Sequence, residues 1–185
     1  MRKLLFTTAL TLLTVTATQA ANFSLHSPDV QGKPFGDKYI LNDFGCHGEN
    51  VSPTLNWTNP PAGTKSFAVM VHDPDAPTGG SGWWHWVIIN LPADTRSLPQ
   101  GAGDPTVNTL PSSAIQVRTD FGKPGWGGPC PPVGDKPHRY VFTVYALKVD
   151  KLDIPAEATA ALAGFMINAN VISKASFTVQ YGRVK

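Results

Sequence analysis

The runs S-F-A-V-M-V-H at 66–72, W-H-W-V-I-I-N at 84–90 and Y-V-F-T-V-Y-A-L-K at 140–148 decide the fold. Each is β-branched or aromatic, almost continuously apolar in its middle, and bounded by Pro, Gly or Asp. That is the signature of a strand buried on both faces. Weaker strand signals lie at 54–58, 114–118 and 176–183. One helix is expected. Pro155 opens it, Glu157 sits in its first turn, and Leu162, Phe165, Met166, Ala169 and Ile172 follow helical spacing as a core-facing stripe. Strands outnumber helices, and turn residues separate them. The expected fold is mostly β, a β-sandwich with one or two helices laid against it. Gly 17 and Pro 17 in 185 residues, without a collagen period or a low-complexity block, agree with such a turn-rich domain.

With 42% apolar and 15% charged residues, the chain can bury a core and is not a disordered one. The formal charge is +2, but Arg2 and Lys3 fall in a leader, which leaves 13 basic against 13 acidic side chains. A neutral domain without a basic cluster is a poor partner for nucleic acid or an anionic membrane. The leader reads M-R-K, then an apolar, Thr-rich run at 4–17, then T-Q-A-A at 18–21. A positive start, a short apolar stretch and small residues before the cut make a secretory signal peptide, and the run is too short for a membrane span. The expectation is a leader over 1–20 and one exported, periplasmic domain over 21–185, with no lipid anchor. In an oxidising compartment Cys46 and Cys130, an even pair, are expected to form a disulfide. Neither has the nearby second Cys of a structural zinc site.

Familiar catalytic signatures are missing: no Gly-x-Ser-x-Gly elbow, phosphate loop, His-Glu-x-x-His or dinucleotide fingerprint occurs. D-P-D-A-P at 73–77 starts like a calcium loop, but Pro77 replaces a third oxygen ligand and the required Gly does not follow. Three places at strand ends remain. In D-P-D-A-P the prolines stiffen the loop and can hold Asp73 in one place. In Trp83-Trp84-His85-Trp86, strand alternation sends Trp84 and Trp86 to the face opposite His85. If that strand pairs antiparallel with 66–72, His85 returns to the sheet edge of Asp73. In G-G-P-C-P-P at 127–132, followed by His138-Arg139-Tyr140, the glycines leave N–H groups for an anion, and His138 and Tyr140 share a face. Arg139 points the other way, towards a structural ion pair. His26, His47 and His72 lack such a loop context and are read as structural or surface residues.

D-P-D-A-P at 73–77, W-H at 84–85 and G-x-x-P-P…H-R-Y across 128–140 together resemble the two signature regions of the phosphatidylethanolamine-binding protein family, also called Raf-kinase-inhibitor-like. G-S-G-W-W-H-W-V-I-I-N-L-P at 80–92 and T-D-F-G at 119–122 are similar to its bacterial branch. The resemblance implies a two-sheet antiparallel β-sandwich with a small anion-binding pocket at one end. Carried over by motif, the pocket residues are Asp73, Asp75, Ala76, Pro77, His85, His138 and Tyr140, with the Gly128 backbone nearby. The implied ligands are phosphate-bearing headgroups, phosphopeptides and small anions; a protein partner or a homodimer is also compatible. The sequence ends soon after 176–183, so the C-terminal helix that closes the pocket in eukaryotic members is not expected. An exported chain is not expected to act on a kinase cascade. The expected function is non-enzymatic anion binding without a cofactor or metal, with Asp73 orienting a histidine and His85, His138 and the Gly128 N–H as donors. The alternatives are a protease inhibitor, or a metal-dependent phosphoester hydrolase built on Asp73, His85 and His138.

Overall fold

The computed structural model describes residues 22–184, so the expected leader at 1–20 lies outside the described residues. The strands are β1 (Ser24–His26), β2 (Leu55–Thr58), β3 (Ser66–Asp73), β4 (Trp83–Pro92), β5 (Ser97–Leu98), β6 (Ile115–Gln116), β7 (His138–Leu147) and β8 (Val171–Tyr181). They form a three-stranded sheet, β1-β2-β5, and a five-stranded sheet, β6-β4-β3-β7-β8, with every strand pairing antiparallel. The two-sheet β-sandwich expected from the sequence is the fold.

β3 is apolar at nearly every position because it has a core on each side. Phe67, Val69 and Val71 join Trp57, Trp86 and Phe142 in the core between the sheets. Ala68 and Met70 join Val87, Ile89 and Leu147 in a second core on the outer face. β8 lies at the sheet edge and shows the other pattern: Ala175, Phe177 and Val179 are buried while Ser176, Thr178 and Gln180 are exposed. One side of that strand faces the inter-sheet core and the other faces water. β8 starts at Val171, five residues before the expected strand, straight out of the preceding helix.

That helix, α1 (Ala160–Asn170), corrects the expected one. Pro155 and Glu157 lie ahead of it, and Thr159 caps it through a hydroxyl that accepts from Leu162 N at 3.1 Å. Its buried residues are Ala160, Ala163 and Ile167, whereas Leu162 and Phe165 are 42% and 69% exposed. Ala169 is exposed too, and Ile172 belongs to β8. Ala160 and Ala163 let the helix sit close on the outer face of the sheet beside Ile167 and the partly buried Met166, while Leu162 and Phe165 are turned away from it. Among the described residues no helix is long and apolar enough to cross a membrane.

Two irregularities in the β3–β4 ladder matter below. Val71 pairs with Trp86 and His72 with Trp84, which leaves His85 as an extra residue in a bulge. The second shift lies between Phe67 and Val69, opposite Asn90, whose φ is 62°. Asn90 turns its amide onto the Leu152 backbone, donating to its carbonyl at 3.2 Å and accepting from its N–H at 2.8 Å. This ties the outer segment to the sheet.

Candidate functional site

β3 ends at Asp73, β4 starts at Trp83 and β7 starts at His138. Because β3 pairs antiparallel with both neighbours, these ends meet at one edge of the large sheet. A cavity of about 170 Å³ opens there, and Asp73, Trp83, His85, His138 and Tyr140 line it. The bulge sets the direction of His85. With one residue inserted, Trp86 lies in the inter-sheet core, and the His85 ring packs against Tyr140 and Phe121 at 5.1 and 5.4 Å. Strict alternation had put Trp86 on the face opposite His85; only Trp84 is there, stacked on His72 at 4.0 Å.

Asp73 Oδ2 lies 2.7 Å from His138 Nδ1, and Asp73 Oδ1 accepts from Asp75 N at 2.9 Å. His138 Nε2 is 3.5 Å from Asp135 Oδ2. Both ring nitrogens of His138 therefore face carboxylates, and the expected donor is a clamp between β3 and the 135–138 segment. His85 is held differently. Its Nδ1 lies 2.6 Å from the Gly127 carbonyl, and Gly127 N donates back to the His85 carbonyl at 2.9 Å. A carbonyl only accepts, so Nδ1 carries the ring proton and Nε2 keeps its lone pair. Burial pushes the His85 pKa down from 6.5 to about 4, against the opposing pull of the Gly127 carbonyl and Asp73. Burial outweighs both pulls, so His85 is neutral at pH 7. Burial and then the Asp73 charge raise the Tyr140 phenol far above its ordinary range, so it stays neutral.

Four expected pocket residues do not line the cavity. Asp75 turns outward to Arg139, receiving Nε at 2.8 Å, Nη2 at 2.7 Å and the backbone N–H at 2.9 Å. Those hydrogen bonds hold its carboxyl down at about 2. Ala76 closes the turn by accepting from Thr78 N, and Pro77 is likewise absent from the lining. The Gly128 N–H, expected to be free for an anion, donates to Asn50 Oδ1 at 2.8 Å. A Cβ on Gly128 would collide with the Tyr39 carbonyl, so glycine serves close packing there.

The sequence reading missed other wall residues. Trp83 lies two positions before His85, and the period-two rule applied to His85 itself would have found it. Phe44, Phe121 and Pro131 come from loops with no such signal. Phe44 and Phe121, both in the cavity wall, stack at 6.0 Å, with Phe44 63% exposed and at φ 50°. Cys130 also lines the cavity and is bonded to Cys46, as expected of the even pair. Arg183 donates to the carbonyls of Pro131 and Gly45, fastening both segments on either side of that bond. Among the described residues no three His, Cys, Asp or Glu side chains gather as a metal-ligand set.

The model of the family described as phosphatidylethanolamine-binding protein matches residues 31–182. This chain belongs to that family. Within the phosphatidylethanolamine-binding protein family it is similar to the UPF0098 protein YbcL of Escherichia coli, with 48% identity over 182 residues, 98% of each chain. YbhB of the same organism is 49% identical over 150 residues, 81% of this chain and 93% of that one. The crystal structure of E. coli YbcL, described as a new member of the mammalian family, superposes with a TM-score of 0.85. It covers 88% of this chain and 99% of its own. A Chlamydia trachomatis homologue gives a TM-score of 0.72 at 29% identity, covering 87% and 97%. These relatives place the chain in the phosphatidylethanolamine-binding protein family through the whole sandwich and not through one motif.

Proposed function

We propose that this protein is a non-enzymatic binding module outside the cytoplasm that takes a phosphate group or small anion into the cavity at Asp73, His85 and Tyr140. One observation carries the reading. The Tyr140 hydroxyl and the Trp83 indole N–H are buried in the cavity wall with no hydrogen-bond partner among the described residues. Leaving a buried donor unpaired costs about 1–3 kcal/mol, and a ligand oxygen would recover it. Both groups can donate, which suits an anion. No Ser, Thr or free Cys lines the cavity to act as a nucleophile, which supports binding without turnover. The stacked Phe44–Phe121 pair would cover the organic part of the ligand. The leader-like start and the disulfide support an extracytoplasmic setting.

NMR titration with phosphoethanolamine and phosphotyrosine tests this. Shifts are expected at Tyr140, His85 and the Trp83 indole, with one site and no phosphate release. Tyr140→Phe should weaken binding about tenfold or more, as for a lost hydrogen bond to a charged group. The same variant should leave the fold intact, since the hydroxyl makes no hydrogen bond that ties two strands together. Equal affinity in Tyr140→Phe, or shifts confined to another face, would refute the site. Phosphate release would refute the non-enzymatic reading.

A further inference from the structure

We propose that the Cys46–Cys130 bond holds Phe44 in a strained backbone conformation and so makes one wall of the cavity a redox-sensitive switch. With the bond formed, the Phe44 ring stands in the wall. With the bond reduced, the 43–46 turn relaxes and the ring leaves. This coupling does not depend on what the cavity binds, whereas its effect on a ligand rests on the anion-binding reading.

The strain lies in the turn. Phe44 and Gly45 have φ of 50° and 77°, and Cys46 N donates to the Asp43 carbonyl at 2.9 Å. Two left-handed central residues are the pattern of a type I′ turn, whose usual occupants are Gly, Asn and Asp. Gly45 fits that pattern. A bulky aromatic at 44 does not, because its Cβ crowds the following carbonyl oxygen. Such a residue persists only where its surroundings over-determine it. Burial does not hold the ring, which is 63% exposed. Three ties fix the turn instead. Cys46 is bonded to Cys130, Arg183 Nη1 donates to the Gly45 carbonyl at 3.0 Å, and Phe44 N donates to Asp43 Oδ1 at 2.7 Å. Of these, the covalent one is removed by a change of redox state.

The place of the ring gives the strain a consequence. Phe44 and Phe121 stack at 6.0 Å and are the two residues shared by the linings of neighbouring cavities of about 170 and 160 Å³. Asp73, His85 and Tyr140 line the first, and Asn42, Asn50 and Lys123 the second. The stacked pair is thus a partition. Withdrawal of Phe44 joins the two spaces into one, with Lys123 in its lining.

The exchange balances with a dithiol reductant. Its thiolate attacks the Cys130 sulfur, since Cys130 lines the cavity and is only partly buried while Cys46 is 5% exposed. The S–S bond breaks, Cys46 leaves as a thiolate and takes a proton, and the second thiol of the reductant then displaces Cys130. Two electrons and two protons pass to the protein, and the dithiol ends as its own disulfide. Because reduction releases the strain, this bond is easier to reduce than one that closes a relaxed turn.

The test equilibrates Phe44→Ala, Phe44→Asn and Phe44→Gly with buffers of reduced and oxidised dithiothreitol. All three lose the ring, but Asn and Gly tolerate the left-handed region and Ala does not. The bond in Phe44→Asn and Phe44→Gly should therefore resist reduction about threefold or more better than in Phe44→Ala. Equal resistance in the three variants would overturn the proposal. In the oxidised wild type, NOEs should link the Phe44 and Phe121 rings. On reduction those NOEs should vanish, while amide shifts outside residues 41–50 and 119–133 stay in place. Ring NOEs that survive reduction, or a collapse of amide dispersion over the whole chain, would also overturn it. No ligand enters these measurements, so their failure leaves the anion-binding reading standing, and failure of that reading leaves the switch.

Discussion

Asp73 and His138, 65 positions apart, join through Oδ2 and Nδ1 at 2.7 Å with side chains only 4% and 5% exposed. The contact closes the end of β3 against the start of β7 and makes the floor of the cavity a fixed surface. Removing one member of a buried hydrogen-bonded pair leaves the polar atom of the other without its partner. Asp73→Asn should therefore cost about 1–3 kcal/mol, read by urea unfolding. His138→Ala should cost a similar amount, and the double variant should lose much less than the sum. Additive losses would show that the two residues stabilise the fold separately.

His85 makes stability fall in mild acid. Its folded pKa of about 4 lies below the ordinary 6.5, so the folded protein binds this proton less readily than the unfolded chain. The contribution is complete above about pH 6.5 and is lost as pH falls towards 4. Its size is about 3 kcal/mol at 1.36 kcal/mol per pKa unit. Urea unfolding from pH 7 to pH 4 should show that loss in the wild type and little of it in His85→Gln. Nitrogen-15 shifts of the ring should report the neutral Nδ1–H form at pH 6.

Asp75 and Arg139 give an acid signature of their own. The Asp75 carboxyl is held at about 2 against an ordinary 3.8, so its contribution is present above pH 3.8 and is lost as pH falls to 2. Asp75→Asn should lower stability at pH 7, and the difference from wild type should shrink as pH falls towards 2 and vanish below it. The ion pair is partly exposed, so added salt should shrink the effect. Because Asp75 lies outside the cavity lining, ligand affinity per folded molecule should change little.

The Cys46–Cys130 bond spans 84 positions and puts one of its residues in the cavity wall. Closing a loop of that length stabilises by about 4–5 kcal/mol in the chain-entropy model. Reduction should lower the melting temperature and weaken phosphate binding together. Cys46→Ser should do both without touching the wall directly. Unchanged binding in that variant would show that the Pro131 segment is held by Arg183 alone.

Asp73, His85, His138 and Tyr140 were all legible in the sequence, since each stands at or near an end of a strongly apolar strand. Strand identity is a local property, set by side-chain type and by period two, so β3, β4 and β7 were found at nearly their true limits. The cysteine pairing was legible for a different reason: two cysteines leave one intramolecular pairing. The tertiary structure decided what is not periodic. One inserted residue in β4 put His85 and Trp86 on the same side, against the alternation that the sequence suggests. The helix buried Ala160, Ala163 and Ile167 because closeness to the sheet, and not hydropathy alone, selects the inward face. Asp75 took Arg139, the Gly128 N–H took Asn50, and His138 lay between two carboxylates. Hydrogen bonds form with whichever group folding brings near, often dozens of residues away along the chain. The residue types available for chemistry can thus be read from the sequence. Which lone pair or hydrogen is left free to meet a ligand follows only from the folded contacts.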